Sequence, residues 1–398
     1  MAGSALDGGL SVAKWKGMIG GVCLLAASLI NCGTAQVATD AAPPAQADVD
    51  FGGMVARGTS FLLDSAQAAN GSFSQASDPA ITALCVTALL RHGRSPDDPA
   101  LAKSLQYLQT FSHPDGGIYA EGSFYQNYET CIAILAFSAA NKDGRYEELL
   151  GKAQDFARQM QWDEGEGKGL ADVEFGGGGY GRSKCPDLSN TQFLIDALQS
   201  QATEQNRAAI SKALVFVSRC QNLEGPDNTT PFAAKNPDGG FYYTPAAGGN
   251  SQAGPTDTGG LRSYGSMTYA GLKSMIYAGL KPEDPRVRAA LGWIAKHYSL
   301  QENPGMGTSG LFYYYHTFAK ALDALGESSL KDAQGDAHDW RAEMIAKLAA
   351  SQRPDGSWVN ADERWLEGNA SLVTAYALLA LDHCRIEAPE SNGASQGK

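Results

Sequence analysis

The sequence predicts an all-α fold in which six helical hairpins close into a ring. Its first indication is a threonine followed by an Ala- and Leu-rich apolar stretch, which recurs six times, at Thr82, Thr130, Thr191, Thr268, Thr317 and Thr374. The second is a more charged stretch ahead of each copy, separated from it by a glycine-containing turn. Repeated helix pairs bury their apolar faces only against neighbouring copies. We therefore expect an α/α toroid of twelve helices.

The two kinds of helix differ in the surface they can expose. The stretches that follow the threonines, such as ALCVTALL at 83–90, are apolar at nearly every position, which is typical of helices buried on all sides. The stretches that precede them, such as DWRAEMIAKLAASQ at 339–352, carry a charged face. We expect an inner barrel of six parallel apolar helices and an outer barrel running the other way.

The turns between the paired helices have their own chemistry. PDGGIY at 114–119, PDGGFYY at 237–243 and PDGSW at 354–358 are the clearest copies. Proline fixes φ, aspartate caps its own turn and glycine accepts a positive φ, so the three residues together make a tight reversal. Turn formation explains every residue of the motif, and we interpret it as structural.

Composition limits the classes of partner. The chain has a net charge of −12, with 43% hydrophobic and 19% charged residues. Nucleic acid or an anionic membrane surface would need a basic face, so neither is expected as the main partner. The cysteines beyond the N-terminal segment lie far apart, which predicts neither a disulfide framework nor a thiolate metal site; they are Cys85, Cys131, Cys185, Cys220 and Cys384.

The ends of the chain are interpreted separately from the ring. Residues 1–38 are predicted to be a signal peptide or membrane anchor, because Lys14 and Lys16 precede an apolar run at 17–30 that is short for a membrane span. A cleaved signal, a lipoprotein at Cys32 and an uncleaved anchor stay open, so the protein is expected to be exported, either periplasmic or membrane-anchored. Residues 39–50 are interpreted as a linker, 51–385 as the toroid and 386–398 as a disordered tail.

One turn pattern is more specific than the others. Gln352-x3-Gly356-x-Trp358 has a second copy at 67–73, QAANGSF, with Phe in place of Trp. This pattern resembles the Gln and Trp repeat of squalene and oxidosqualene cyclases, and residues 51–385 resemble the superfamily of prenyltransferase β-subunits and terpene cyclases. The resemblance implies an α/α toroid with a central cavity, and a cyclase or transferase acting on an isoprenoid or lipid.

The catalytic motifs of that superfamily are degenerate here. Squalene-hopene cyclases protonate an alkene with Asp-x-Asp-Asp-Thr, whereas DLSNT at 187–191 and DPAIT at 78–82 keep only the first Asp and the Thr. Protein prenyltransferases hold zinc with Asp-x-Cys and a Tyr-His-Thr. The resemblance leaves a zinc site of Cys185, Asp187 and His316 as an alternative, and no other cofactor is predicted.

Six parallel inner helices would direct their N-termini, with unpaired N–H groups and positive dipole ends, toward one mouth of the ring. Asp187, His316 and Glu129 are the predicted catalytic residues there, as acid and base groups. A structural role as a helix cap for Asp187, or as a buried histidine for His316, stays open. The predicted ligand-binding residues are Asn190, Tyr128, Tyr264, Tyr315, Arg182, Arg262 and Trp365.

Three functions fit this sequence. The first is an exported cyclase or transferase whose partner is a small apolar or isoprenoid ligand held in the central cavity. The second is a ligand-binding or scaffold toroid without catalysis. The third is a polysaccharide lyase, since that chemistry also occurs on α/α toroids, with Arg182 or Arg262 as base. Membrane association would come through the N-terminal segment.

Overall fold

A computed structural model describes residues 49–74, 79–182 and 185–385. In these ranges the chain forms twelve α-helices that alternate between two layers. The outer helices are α1 (Phe51–Ser60), α3 (Pro99–Gln109), α5 (Glu147–Gln159), α7 (Glu204–Arg219), α9 (Pro285–His297) and α11 (Trp340–Ser351). The inner helices are α2 (Ala80–Arg91), α4 (Gln126–Ala140), α6 (Leu188–Gln199), α8 (Gly265–Tyr277), α10 (Leu311–Leu325) and α12 (Ala370–His383).

Two smaller features complete these elements. A π-helical turn, Phe61–Ala66, continues α1. A short antiparallel hairpin of β1 (Leu330–Lys331) and β2 (Ala337–His338) lies between α10 and α11 and was not expected from the helical repeats. No helix in the described ranges is long and apolar enough to cross a membrane. Residues 1–48 and 386–398, to which the predictions of a signal or anchor, most of the linker and a tail refer, lie outside the described residues, as does Asp78.

The inner helices close on themselves. Each one packs against the next, and α12 packs against α2. Every outer helix packs on an inner one, with α1 covering α12. These contacts confirm the predicted α/α toroid of six hairpins.

Burial separates the two layers as the sequence predicts. Every residue of α2 from Ala80 to Leu90 is buried, as is every residue of α12 from Ser371 to Leu381. The outer helix α5 buries only one face. A helix that is apolar all round is stable only when it is enclosed, and for this reason the Ala- and Leu-rich stretches form the inner barrel.

The repeated threonines clamp the turns that precede them. In five of the described hairpins the threonine hydroxyl accepts a hydrogen bond of 3.0 or 3.1 Å from a backbone N–H of the turn. The pairs are Phe73 with Thr82, Ile118 with Thr130, Gly178 with Thr191, Phe241 with Thr268, and Trp358 with Thr374. The threonine therefore fixes each turn to the start of its inner helix.

The glutamine of the specific turn pattern joins neighbouring hairpins. Gln352 Nε2 donates to Gly356 O at 3.0 Å in its own turn and to Met54 O at 2.9 Å in α1. This bond connects the last hairpin to the first. Gly356 has φ +88°, and a Cβ there would lie 2.4 Å from Arg57 O. Only glycine fits where the turn approaches α1, so the motif is a structural brace.

The fifth hairpin departs from the predicted register. Helix α10 begins at Leu311, so Thr317 is its seventh residue, whereas the other repeated threonines are the third to fifth residues of their helices. Thr317 donates within α10, to Tyr314 O at 3.0 Å. The prediction that His316 lies at the mouth, where the inner helices begin, is wrong. The helix starts one turn earlier, after Gly310 with φ +64°, and carries His316 down into the barrel.

Candidate functional site

A cavity of about 630 Å³ lies at the N-terminal end of the inner helices. Each of the six inner helices contributes the second or third residue of its first turn to the wall. These residues are Ile81, Tyr128, Ser189, Ser266, Tyr313 and Leu372. The cavity is therefore at the mouth where the sequence places the converging helix starts.

Aromatic side chains form a large part of this wall. Ten of the cavity-lining residues in the described ranges are aromatic: Phe124, Tyr125, Tyr128, Tyr180, Phe193, Tyr243, Tyr264, Tyr313, Trp365 and Tyr376. Several meet edge to face, with ring centroids 5.6 Å apart for Tyr128 and Phe193 and 5.9 Å apart for Tyr313 and Tyr376. Aromatic faces are apolar and carry partial negative charge. The wall suits an apolar ligand and tolerates positive charge on it.

Glu129 places a carboxylate in this aromatic wall. It lines the cavity while its side chain is buried, one residue before Thr130 in α4. Oε2 accepts a hydrogen bond from Ala120 N at 2.7 Å, and Oε1 accepts one from Ser123 Oγ at 2.6 Å. These two donors hold both carboxyl oxygens of Glu129 in place at the cavity wall. Glu129 is thus suited to stabilise a cation in the cavity.

A second buried carboxylate, Glu367, caps α10 from the sixth hairpin. Its Oε1 accepts from Tyr313 N at 2.8 Å, and its Oε2 accepts from Phe312 N at 3.2 Å and from Asn360 Nδ2 at 2.7 Å. Gly310 at the N-cap supplies no side chain for this purpose. Burial raises the pKa of Glu367 above its usual value. The sequence analysis missed this residue because its partner helix belongs to another hairpin.

Asp187 lies behind the cavity wall. It is the N-cap of α6 and accepts hydrogen bonds from Asn190 N at 2.9 Å and from Asn190 Nδ2 at 2.7 Å. The side chain of Tyr243, which does line the cavity, interacts with this carboxyl group. Burial raises the pKa of Asp187 to about 6. Neither Asp187 nor Asn190 is part of the cavity wall.

The structure does not bring His316 together with Asp187 and Glu129. The His316 ring is buried inside the barrel, stacked on Tyr376 with centroids 5.9 Å apart, and is not part of the cavity wall. Burial lowers its pKa well below the usual value, and its Nδ1 has no hydrogen-bond partner among the described residues. His316 is a neutral residue of the barrel interior.

Tyr315 also faces away from the cavity. Its hydroxyl donates to Leu300 O at 2.7 Å, whereas Tyr313 lines the wall. Residues two apart on an α-helix point to nearly opposite sides, so only one of the two can face the axis. Tyr313, and not the predicted Tyr315, therefore lines the cavity.

The predicted residues from the loops divide into two groups. Tyr264 and Trp365 line the cavity, and the Trp365 side chain stands at the rim with Arg364 4.2 Å from its ring. Arg182 is exposed, with Glu166 3.8 Å away. Arg262 donates to Pro255 O at 2.9 Å. Neither Arg182 nor Arg262 belongs to the cavity wall.

Two wall tyrosines that the sequence analysis missed follow a rule of the repeat. Tyr180 and Tyr243 each come two residues after the turn residue that the repeated threonine holds, Gly178 and Phe241 respectively. Residues two apart in extended chain point to the same side. Aligning the hairpins on the turn, instead of on the threonine alone, would have found both.

The cavity floor is formed by Ser189 and Tyr313. Charged side chains meet inside the barrel, on the far side of this floor from the mouth. Asp196 Oδ2 accepts hydrogen bonds from Lys273 Nζ and Lys320 Nζ, each at 2.7 Å. The side chains of Asp196 and Lys273 are 1% exposed. Asp196 is seven residues beyond the wall residue Ser189, or about 10 Å further along α6. We call these three residues the axial cluster. In the sequence, each of the three is a charged residue within one of the apolar stretches that follow the repeated threonines.

The zinc alternative is not assembled by the described residues. Among them, no group of three or more His, Cys, Asp or Glu side chains is arranged to hold a metal ion. Cys185 is exposed beside the mouth, whereas His316 lies within the barrel. The three residues named from the resemblance therefore do not form one site.

The chain is similar to known proteins in sequence and in fold. The family model described as the squalene-hopene cyclase C-terminal domain matches residues 67–244. A variant of the type II terpene cyclase MstE from Scytonema, in complex with its product merosterolic acid A, is 16% identical with a TM-score of 0.51, covering 84% of this chain and 96% of that one. No curated protein matches the chain.

Two further solved structures show the same fold. A variant of the Scytonema enzyme with its substrate, geranylgeranyl dihydroxybenzoate, is 14% identical with a TM-score of 0.50, covering 84% of this chain and 97% of that one. A family 88 glycosyl hydrolase from Bacteroides vulgatus is 10% identical with a TM-score of 0.50, covering 83% and 98%. Together with the repeats and the closed ring, these matches show an α/α toroid fold, part of which, residues 67–244, is similar in sequence to the squalene-hopene cyclase C-terminal domain.

Proposed function

We propose that this protein binds an isoprenoid, or another elongated apolar lipid, in its central cavity and acts on it as a terpenoid cyclase or transferase. The observation that carries this proposal is the cavity of about 630 Å³ walled by aromatic side chains. Ligand pockets of about 300–1,000 Å³, mainly apolar and with a few polar groups, are typical of small-molecule sites. The fold is one in which the terpene cyclase from Scytonema holds geranylgeranyl dihydroxybenzoate.

The charge of the cavity supports chemistry that passes through a cation. Cyclisation of an isoprenoid creates positive charge on carbon, and a carboxylate and aromatic faces stabilise such charge. Glu129 supplies the carboxylate. Glu121 and Glu367 also line the cavity, and together they disfavour a diphosphate group. The site is therefore better suited to an isoprenoid with an uncharged head group.

Binding without catalysis is the second candidate, and one observation favours it. Ser189 is in the cavity wall at a position where squalene-hopene cyclases carry an acid, and Asp187 is shielded by Tyr243. The proton donor of those cyclases is then missing from its usual place. A toroid that only holds its ligand would have this arrangement.

The polysaccharide lyase alternative gains no support from the geometry. It needs Arg182 or Arg262 as base at the site. Arg182 lies beside Glu166, Arg262 donates to a backbone carbonyl, and neither lines the cavity. The likeness to a glycosyl hydrolase concerns the fold alone.

The proposal is tested with the purified full-length chain and geranylgeraniol, an isoprenoid with an uncharged head. Binding is measured by native mass spectrometry, and products are measured by gas chromatography with mass detection. Leu372→Trp fills the cavity and is expected to abolish binding, whereas Leu170→Trp, on an exposed residue outside the cavity wall, is expected to keep it. Binding that survives Leu372→Trp would show that the ligand sits elsewhere.

Catalysis is read from the same incubation. A cyclase gives an isomer of unchanged mass and altered retention, and Glu129→Gln keeps the shape of the side chain while removing its charge. We expect this change to slow conversion about a hundredfold without loss of binding. Ligand that binds and is returned unchanged by the unaltered protein would favour the non-catalytic candidate.

A further inference from the structure

A chain of hydrogen bonds joins the axial cluster to the cavity floor. Lys273 Nζ donates to Gln192 Oε1, and Gln192 Nε2 donates to the Tyr313 hydroxyl at 3.3 Å. The Tyr313 hydroxyl lies 3.0 Å from Ser189 Oγ. Tyr313 and Ser189 line the cavity, whereas Gln192 and Lys273 are buried behind them. These hydrogen bonds thus connect the barrel interior to the cavity.

Lys273 determines which atoms donate and which accept along these hydrogen bonds. An ammonium group has donors and no acceptor, so it fixes the carbonyl oxygen of Gln192 toward Lys273 and the amide NH2 toward Tyr313. The Tyr313 oxygen therefore accepts from Gln192. If Tyr313 then donates to Ser189, the serine proton is left for the cavity. If Ser189 donates to Tyr313, the tyrosine proton is left instead. In either case the floor presents an O–H donor.

The axial cluster strengthens that donor. Two lysines share one carboxylate, so below about pH 7, while both lysines are protonated, the cluster carries one excess positive charge in a buried place. Hydrogen bonds from a charged donor are stronger than neutral ones, and each bond in a chain polarises the next. The polarisation runs from Lys273 toward the cavity. A hydroxyl at the end of such a chain donates more strongly than an isolated phenol.

We propose that the cavity floor recognises a hydrogen-bond acceptor oxygen on the ligand, such as a carbonyl or ether oxygen, through the hydroxyl groups of Tyr313 and Ser189. Gln192 and Lys273 are positioning residues, because they orient the donor without contact with the ligand. The inference rests on the proposed function and names the end group of the isoprenoid that the floor selects. A hydrocarbon end leaves a buried donor without a partner, which costs binding free energy.

Two probes of the same chain type test this inference on the full-length protein. Farnesylacetone carries a ketone oxygen and no donor, whereas farnesene is a hydrocarbon. Isothermal titration calorimetry at pH 6, where Lys273 is charged, gives the ratio of their affinities. One hydrogen bond is worth about tenfold in affinity, so we expect the ketone to bind about tenfold more tightly.

Three variants separate recognition from packing. Tyr313→Phe removes a donor, and Gln192→Leu breaks the chain behind it; both are expected to lower the affinity ratio several-fold while farnesene binding changes little. Tyr315→Phe is the matched control on the same helix. Its hydroxyl bonds to Leu300 O away from the cavity, and its loss should leave the ratio unchanged.

The outcomes distinguish this inference from the proposed function. Equal affinity of the unaltered protein for the two probes would overturn the inference and leave isoprenoid binding standing. The same follows if Tyr313→Phe and Gln192→Leu keep the full preference for the ketone. If neither probe binds, the proposed function fails, and the selectivity inferred from it fails as well.

Discussion

The axial cluster gives a sharp prediction of stability because its charges do not balance. Each lysine Nζ lies 2.7 Å from Asp196 Oδ2. At an effective dielectric constant of about 20, this distance gives an attraction of about 6 kcal/mol for each pair. Removing each ion from water costs several kcal/mol, so one carboxylate compensates two ammonium groups only in part. Burial accordingly lowers the pKa of Lys273 to about 7.

Substitutions on the two sides of this cluster should have unequal effects. Asp196→Asn leaves Lys273 and Lys320 buried without a counter-charge, and we expect a loss of about 3–5 kcal/mol in the free energy of unfolding. Lys273→Met removes the excess charge and leaves one balanced pair of Asp196 with Lys320. It loses the hydrogen bonds to Gln192 and Asp196 but also avoids the cost of burying the excess charge, so a net change within about 1 kcal/mol is expected.

Equilibrium unfolding in urea, followed by circular dichroism at pH 6, measures both variants while the lysines are charged. The unaltered protein should also gain stability as the pH rises from about 7 toward 10.5, because the folded state binds fewer protons than the unfolded state in that window. Lys273→Met should lose this gain. Equal losses for the two variants, or no dependence on pH in the unaltered protein, would refute the reasoning.

Two further predictions concern a turn and a helix cap. Gly356→Ala should lower the free energy of unfolding by at least about 1 kcal/mol more than Gly93→Ala. Both glycines have positive φ, but only at Gly356 would a Cβ meet a backbone oxygen, that of Arg57. Equal losses in thermal denaturation would contradict this. Because burial raises the pKa of Asp187 from 3.8 to about 6, folding takes up protons in that window and stability should fall as the pH rises through it. Asp187→Asn, whose amide can still cap α6, should remove this slope in urea titrations at pH 4 and pH 6, and a slope that persists would assign it to another group.

The candidate site was predictable where it follows from the hairpin repeat. Glu129 and Tyr128 come just before the repeated Thr130, and the same rule reaches Ser189 ahead of Thr191. The rule failed in the fifth hairpin, where the run of tyrosines is itself helical. That slip of one turn placed His316 at the mouth and selected Tyr315 in place of Tyr313.

The sequence by itself determined the ring, because its signals are local. An apolar stretch needs enclosure, a glycine turn needs positive φ, and six copies of the pair repeat both requirements along the chain. Neighbouring copies then supply the enclosure for each other. The repeated hairpin was therefore enough to predict the toroid and the end at which its cavity opens.

Only the tertiary structure decided what the cavity and barrel interior contain. Glu367 caps a helix of another hairpin, Gln192 meets Tyr313 across the barrel, and Lys273 reaches Asp196 on a neighbouring helix. Partners of this kind are far apart in the chain, and no local period relates them. Their meeting depends on the rotation of each helix about its own axis, which packing around the closed ring sets.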